Sequence, residues 1–301
     1  MLTGRQVLFI GGDARMVEVI AQVIESDGSV ALIGFDQLSK SFPDTRHVPL
    51  SEPVFSQVDG IVLPVAGMED DGRVDSHFAE APIYLREDLF RAAKPGTFVF
   101  SGIARPVLEQ WCQSAGLRLV KLMELDEVAI LNSIPTAEGA IALAMQHTDI
   151  TLHGARVLVV GFGRCGQTLA RTAAALGAKV RVAARDTADL ARIIEMGLEP
   201  VAMDGLEAAV RDIDVVFNTV PAPILTAEVL KVMPRETVII DIASKPGGTD
   251  FRYAERRGMK AILTPSLPGL VAPKTAGRII AATVCRLLAA DGGGITGGAE
   301  G

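Results

Sequence analysis

The chain has 301 residues, of which 49% are hydrophobic and 22% charged, with a formal net charge of −7 at pH 7. That length suits two domains with cores of their own, and that composition belongs to a globular protein rather than a disordered or fibrous one. A negative balance with 5% aromatic residues, one Trp and two Tyr argues against phosphate-backbone and base-stacking surfaces, so no nucleic-acid partner is expected.

At the N-terminus the apolar run from Val7 to Gly11 is too short for a signal peptide or a membrane anchor. A cytoplasmic protein with no membrane partner is expected. Short β-branched runs then alternate with amphipathic stretches. Strands are expected at 6–10, 30–34, 60–65, 97–101 and 117–122, and helices at 16–26, 87–93 and 106–115, with Pro106 suited to a first helical turn. The stretch 73–84 is irregular and reads as a loop. From 124 to 147 the sequence favours helix on both sides of Asn132, Ser133 and Pro135, which predicts a broken helix whose second half is capped by Thr136, with Glu138 in its first turn. Strands follow at 156–161, 179–184, 214–218, 237–241 and 260–263, with helices at 166–176, 187–196 and 275–290.

This alternation predicts an α/β protein of two Rossmann-like domains, each a parallel sheet flanked by helices, with an interdomain cleft. The expected division is a substrate domain at 1–123, a helical linker at 124–150, a nucleotide-binding domain with the C-terminal helix at 151–290, and a disordered glycine-rich tail at 291–301. Cys112, Cys165 and Cys285 are far apart and show no CxxC spacing, so they read as free, wholly or partly buried thiols, with neither a disulfide framework nor a metal site.

The run from Arg156 to Arg185 carries the most specific chemistry. A buried strand enters the turn Gly161, Phe162, Gly163, Arg164, Cys165, Gly166, a helix leaves it, and a second strand follows. Gly161 permits the tight turn, Gly163 lets backbone approach a pyrophosphate, and Gly166 lets helix and strand pack closely beneath a helix N-terminus suited to an anion. At the end of the second strand, where an acidic residue would hold the ribose hydroxyls of NAD, stand Ala183, Ala184 and then Arg185, Asp186 and Thr187. Arg185 and Thr187 can bind a 2′-phosphate, which favours NADP; Asp186 on the ribose, with Arg185 in solvent, keeps NAD open. Asn218, Thr219, Val220 and Pro221 follow the strand DVVFN, where the second half of a dinucleotide is expected.

Loop-like strings complete the pattern: GGDAR at Gly11 to Arg15, NSIPTAEG at Asn132 to Gly139, ASKPGGTD at Ala243 to Asp250 and PSLPGLVAPKTAG at Pro265 to Gly277. Together with GFDQL at Gly34 to Leu38 and GFGRCG at Gly161 to Gly166, they make the chain resemble the family of dipicolinate synthase A subunits over nearly its whole length. More distantly, the layout is similar to alanine dehydrogenase and the 2-hydroxyacid dehydrogenases. The resemblance implies oxidation of dihydrodipicolinate, or its hydrated precursor, to pyridine-2,6-dicarboxylate with NAD(P), in the lysine-pathway branch of a sporulating mother cell. It also implies a partner, the flavoprotein-like B subunit; a homo-oligomer is a further expectation. No histidine follows His153, so the late acid/base histidine of the hydroxyacid dehydrogenases is missing, although His47, His77 or His147 can reach the cleft from the other domain.

Two substrate carboxylates need cations and hydrogen-bond donors. Lys245 and Lys274 are the catalytic-site cations expected from the loops, with Arg15 as a further substrate-binding cation. Asn132, Thr136 and Ser266 supply polar contacts, and Glu138 is the candidate proton acceptor. Each also has a plain reading, as a solvated charge, a cap or a turn residue. An amino-acid or hydroxyacid dehydrogenase of the same layout, and a nucleotide-binding scaffold inactive without its partner, are the alternatives.

Overall fold

The computed structural model describes residues 1–291, so the expected tail beyond Asp291 lies outside the described residues. The chain forms two compact units, one made of residues 1–129 with the helix Pro273–Ala290, the other of residues 130–272.

In the first unit the strands are β1 (Gln6–Ile10), β2 (Ser29–Ile33), β3 (Thr45–His47), β4 (Gly60–Val62), β5 (Arg73–Val74), β6 (Ile83–Tyr84), β7 (Phe98–Ser101) and β8 (Arg118–Lys121). Six of them make a parallel sheet in the order β3-β2-β1-β4-β7-β8, while β5 and β6 pair as a small antiparallel ribbon inside the stretch expected to be a loop. Because side chains alternate across a strand, Leu8 and Ile10 enter one core with Ile61 and Val99, and Val7 and Phe9 enter the opposite one with Val62 and Phe100. Both faces are covered, which is why these strands read as unbroken apolar runs.

That second core is completed from the far end of the chain. Ile280, Ala281, Val284 and Leu288 of the Pro273–Ala290 helix are buried among Met16, Val19, Ile20 and Val23 of the Ala14–Glu25 helix. A Cβ on Gly277 would strike the Arg15 carbonyl and the Glu18 side chain, so glycine allows the two helices to cross closely. The expectation that the last helix belongs to the nucleotide domain is therefore corrected. Its apolar stripe fits the first sheet, and it begins at Pro273 rather than Thr275.

The second unit repeats the topology. Strands β9 (Arg156–Val160), β10 (Lys179–Ala184), β11 (Glu199–Ala202), β12 (Val215–Asn218), β13 (Val238–Asp241) and β14 (Lys260–Leu263) form a parallel sheet in the order β11-β10-β9-β12-β13-β14. Val157 and Val159 point into one core and Leu158 and Val160 into the other.

The segment Asp126–His147 is one continuous helix of 22 residues, not the broken helix expected from Pro135. Proline in a helix interior removes a hydrogen bond and strains the turn before it. Local hydroxyls bind backbone there: Ser133 Oγ donates to the Ile130 carbonyl at 2.6 Å and Thr136 Oγ1 to the Asn132 carbonyl at 2.8 Å. Burial of Ala137, Ala140, Ile141 and Ala144 in the second unit, in the core that holds Val157 and Val159, keeps the helix in place. Thr136 is therefore interior to the helix rather than its cap, and Glu138 is exposed at mid-helix rather than in a first turn. Among the described residues this helix alone is long and apolar enough to cross a membrane, a test that core helices also pass.

Candidate functional site

The carboxyl ends of β9, β10, β12 and β13 carry the glycine turn and the loops that the sequence singles out, which is where ligands bind in sheets of this order. Gly161 has φ +97°, and its amide donates to the Ala183 carbonyl at 2.9 Å, so the chain turns sharply off β9 while staying tied to β10. Thr219 and Val220 cover it so closely that no Cβ fits, and a Cβ on Gly166 would collide with the Gly161 carbonyl. Those two glycines are required by packing.

Gly163 is different. It has an extended conformation that any residue adopts (φ −73°, ψ −168°), and a Cβ there would meet no atom within 4 Å. It is the N-cap of the Arg164–Ala175 helix and offers no side-chain cap, which leaves the positive end of the helix open to an outside anion. This open space fits a dinucleotide pyrophosphate. Arg164 is exposed beside it, and Cys165 is half-buried, its thiol pushed up by burial against the opposing charge of Arg164.

The glycine turn of the first unit shows what a closed counterpart looks like. Gly11 and Gly12 also have positive φ, but Gly12 donates to the Asp75 carbonyl at 3.0 Å and accepts from the His77 amide at 2.9 Å, so the chain itself lies across the turn. The N-cap of the helix that follows is Asp13, whose carboxylate accepts from the Arg15 amide at 2.9 Å and from Arg15 Nη2 at 2.6 Å. Burial works against that carboxylate, yet the Arg15 hydrogen bonds and charge hold it below the usual aspartate range. An anion is already built in there. Arg15 is only 7% exposed, so its guanidinium is committed to Asp13 rather than held out for a ligand.

Back in the second unit, Arg185, Asp186 and Thr187 are all exposed at the end of β10, and Asp186 makes no side-chain cap for the helix Thr187–Glu195. Asn218 is wholly buried, with Nδ2 donating to the Val220 carbonyl at 3.0 Å and Oδ1 accepting from the Val220 amide at 3.1 Å. Thr219 Oγ1 donates to the Val160 carbonyl at 2.9 Å. This pair of side chains shapes the turn over Gly161, and Pro221 follows it, exposed.

The next loop carries Lys245, exposed at its tip. The loop is organised by Asp241, a residue the sequence reading does not single out, although an acid ending the apolar strand VIID is a visible signal. Ser266, after β14, is exposed and stands in the left-handed region at φ +65°. A non-glycine residue there is strained, and such strain concentrates at functional loops. Of the remaining candidates, Asn132, Thr136 and Glu138 share the long helix of this unit, and Lys274 lies exposed in the first turn of the final helix, in the other unit, to which Arg15 also belongs. Cys112 is buried in the first unit, its thiol pushed up to about 12 by desolvation, and has no reactive character.

Two parallel sheets of this order, with an open glycine helix terminus in the second, define a dinucleotide-binding protein of the dehydrogenase type. Residues 6–123 match the N-terminal domain of the dipicolinate synthase A subunit, and residues 134–289 the alanine dehydrogenase/PNT C-terminal domain. The chain is 49% identical over 289 residues to the dipicolinate synthase A subunit of Bacillus subtilis (strain 168), covering 96% of this chain and 97% of that one. It superposes on the crystal structure of the dipicolinate synthase A subunit from Bacillus halodurans with a TM-score of 0.93 at 51% identity, covering 96% and 99% of the two chains. An L-alanine dehydrogenase shares the fold alone, with a TM-score of 0.61 at 16% identity over 96% of this chain and 91% of that one. The chain belongs to the dipicolinate synthase A subunit family.

Proposed function

We propose that this protein oxidises dihydrodipicolinate, or its hydrated precursor, to pyridine-2,6-dicarboxylate with NADP, during sporulation in the cytoplasm of the mother cell. The observation that carries the reading is the open helix terminus at Gly163, at the same end of the sheet as exposed Arg185 after β10 and the exposed Lys245 loop after β13. Making the aromatic ring requires loss of a hydride and a proton, and bound nicotinamide supplies the hydride acceptor. The chain's own part is to bind and orient. The Arg164–Ala175 helix terminus holds pyrophosphate, and Arg185 with Thr187 holds the 2′-phosphate. Lys245 pairs with a substrate carboxylate, with Ser266 and Asn132 of the same unit as hydrogen-bonding groups. Arg15 is left out of that pairing, because Asp13 already neutralises it.

Glu138 is proposed as the proton acceptor. Its carboxylate is exposed and carries no helix-capping duty, so capping does not explain its presence. The proposed partners are a second copy of this chain and a flavoprotein-like B subunit. The test is to incubate the purified chain with NADP and freshly generated dihydrodipicolinate, with and without the B subunit, and follow NADPH together with dipicolinate by chromatography. Dipicolinate formed by the chain alone supports the reading. Dipicolinate formed at the same rate when the chain is omitted sinks it, and turnover confined to mixtures of the two proteins assigns this chain a binding role.

A further inference from the structure

The side chain of Asp241 ends β13 wholly buried, and groups from both sides of one turn close on it. Ala243 N–H donates to Oδ1 at 3.1 Å; Gly248 N–H and the Thr249 hydroxyl donate to Oδ2 at 2.9 and 2.7 Å. Between those donors, the turn Ser244 to Gly247 is closed by the Gly247 amide on the Ser244 carbonyl at 2.8 Å, with Gly247 at φ +84°. A buried carboxylate is costly unless donors surround it, and its charge strengthens each bond it accepts. The path of the loop is therefore fixed from inside, while its one basic residue, Lys245, is left exposed at the tip with no intramolecular partner among the described residues.

Asp241 also connects this loop to its neighbours. Its carbonyl accepts from Thr264 N–H at 2.8 Å, two residues before the strained Ser266. The next amide, Ile242, donates to the Asn218 carbonyl at 2.9 Å, and the Gly248 carbonyl accepts from Ile224 and Leu225 at 3.0 and 2.9 Å. Gly248 also packs so close to the Asn218 side chain and the Val220 carbonyl that a Cβ would not fit. The Lys245 loop is thus joined to the turn that covers Gly161.

We infer that Asp241 is a positioning residue: it holds the turn Ser244 to Gly247 so that Lys245 presents its ammonium to a carboxylate of the bound ligand. This deepens, and rests on, the reading of the site as one for a dicarboxylate. The test is calorimetric titration of wild type, D241N, K245M and the double variant with pyridine-2,6-dicarboxylate at saturating NADP, alongside hydrogen exchange at the Gly248 amide. Asparagine must turn an N–H toward one set of donors, so D241N is expected to weaken dicarboxylate binding about tenfold or more. The double variant is expected to bind no more weakly than K245M alone, as when one residue acts through the other. Protection at Gly248 is expected to fall in D241N and to persist in K245M. Wild-type affinity in D241N, or losses that simply add, overturns the inference. If D241N does not fold, T249V, which removes one donor, takes its place in the same comparison. A wild type that binds no dicarboxylate defeats the functional reading instead; Gly248 exchange then decides Asp241 by itself, lost protection keeping its hold on the loop and unchanged protection removing it.

Discussion

Gly166 lies directly against the carbonyl of Gly161, so that a side chain on the first would collide with the second, whereas a side chain on Gly163, between them in sequence, would meet nothing. One turn therefore contains glycines needed by the fold and one that the fold does not need. Replacing Gly161 or Gly166 by Ala is expected to destabilise the second unit by about 1–3 kcal/mol through overpacking, with the added strain of positive φ at Gly161. G163A is expected to unfold near the wild-type temperature, because the entropy removed from the unfolded chain is offset by alanine being a poorer N-cap than glycine, while nucleotide binding falls at least tenfold. Thermal unfolding and titration of NADPH fluorescence separate the two effects. Full NADPH affinity in G163A would show that phosphate does not sit at this helix terminus.

Arg185 is exposed at the end of β10 and makes no intramolecular bond among the described residues, so its substitution removes nothing from the fold. A charge-assisted bond to a 2′-phosphate contributes about 1.5–3 kcal/mol. R185A is therefore expected to weaken NADP binding by roughly ten- to a hundredfold and to leave NAD binding unchanged. D186N is expected to spare NADP. Equal losses for both nucleotides in R185A, or a loss of NAD confined to D186N, would reassign the ribose contact to Asp186.

Much of this arrangement is legible in the sequence because both sheets are buried on both faces. β9 appears as the apolar run VLVV and β10 as VRVAA with a single charge in it, and the glycines between them announce their turn at Gly161. The same local reading misjudges Asp126–His147, since Pro135 signals a break that tertiary burial of Ala137, Ala140 and Ile141 overrides. The final helix joins the first unit through Gly277, a contact with Arg15 and Glu18 across more than half the chain that no local window contains. Arg15 and Asp241 show the same limit from the side of chemistry. A cation looks available until Asp13 is found on it, and an acid looks like a strand end until three donors are found around it.

The pairing of Asp13 with Arg15 makes the first unit sensitive to acid. Burial opposes the charged carboxylate but the Arg15 bonds outweigh it, so the folded-state value is depressed relative to the unfolded chain. A depressed carboxylate contributes stability that is complete above the ordinary aspartate range and is lost as pH falls through the lower, folded value. Asparagine can still cap the helix, so D13N is expected to be less stable than wild type at neutral pH and to lose less on acidification. Urea unfolding from pH 7 to pH 3 checks this, with fluorescence of Trp111, the chain's one tryptophan and a member of the first unit, as the reporter. Parallel acid limbs for the two proteins would count against the assignment.

Ser266 separates strain from recognition in one position. Its left-handed backbone, at φ +65° and ψ 28°, costs roughly 1–2 kcal/mol for any residue with a Cβ and little for glycine. S266G is therefore expected to raise the unfolding free energy by about 1 kcal/mol, the gain being reduced by glycine's greater freedom in the unfolded chain. S266A keeps the Cβ and the strain and is expected to melt with the wild type. Both variants lack the hydroxyl, so if Ser266 donates to a substrate carboxylate, both lose dicarboxylate affinity by a similar factor of about three- to tenfold, although only one is stabilised. A loss in S266G alone means that the backbone conformation, not the hydroxyl, sets the loop for binding. Undiminished affinity in both variants would remove Ser266 from the site and leave its strain without a role in recognition.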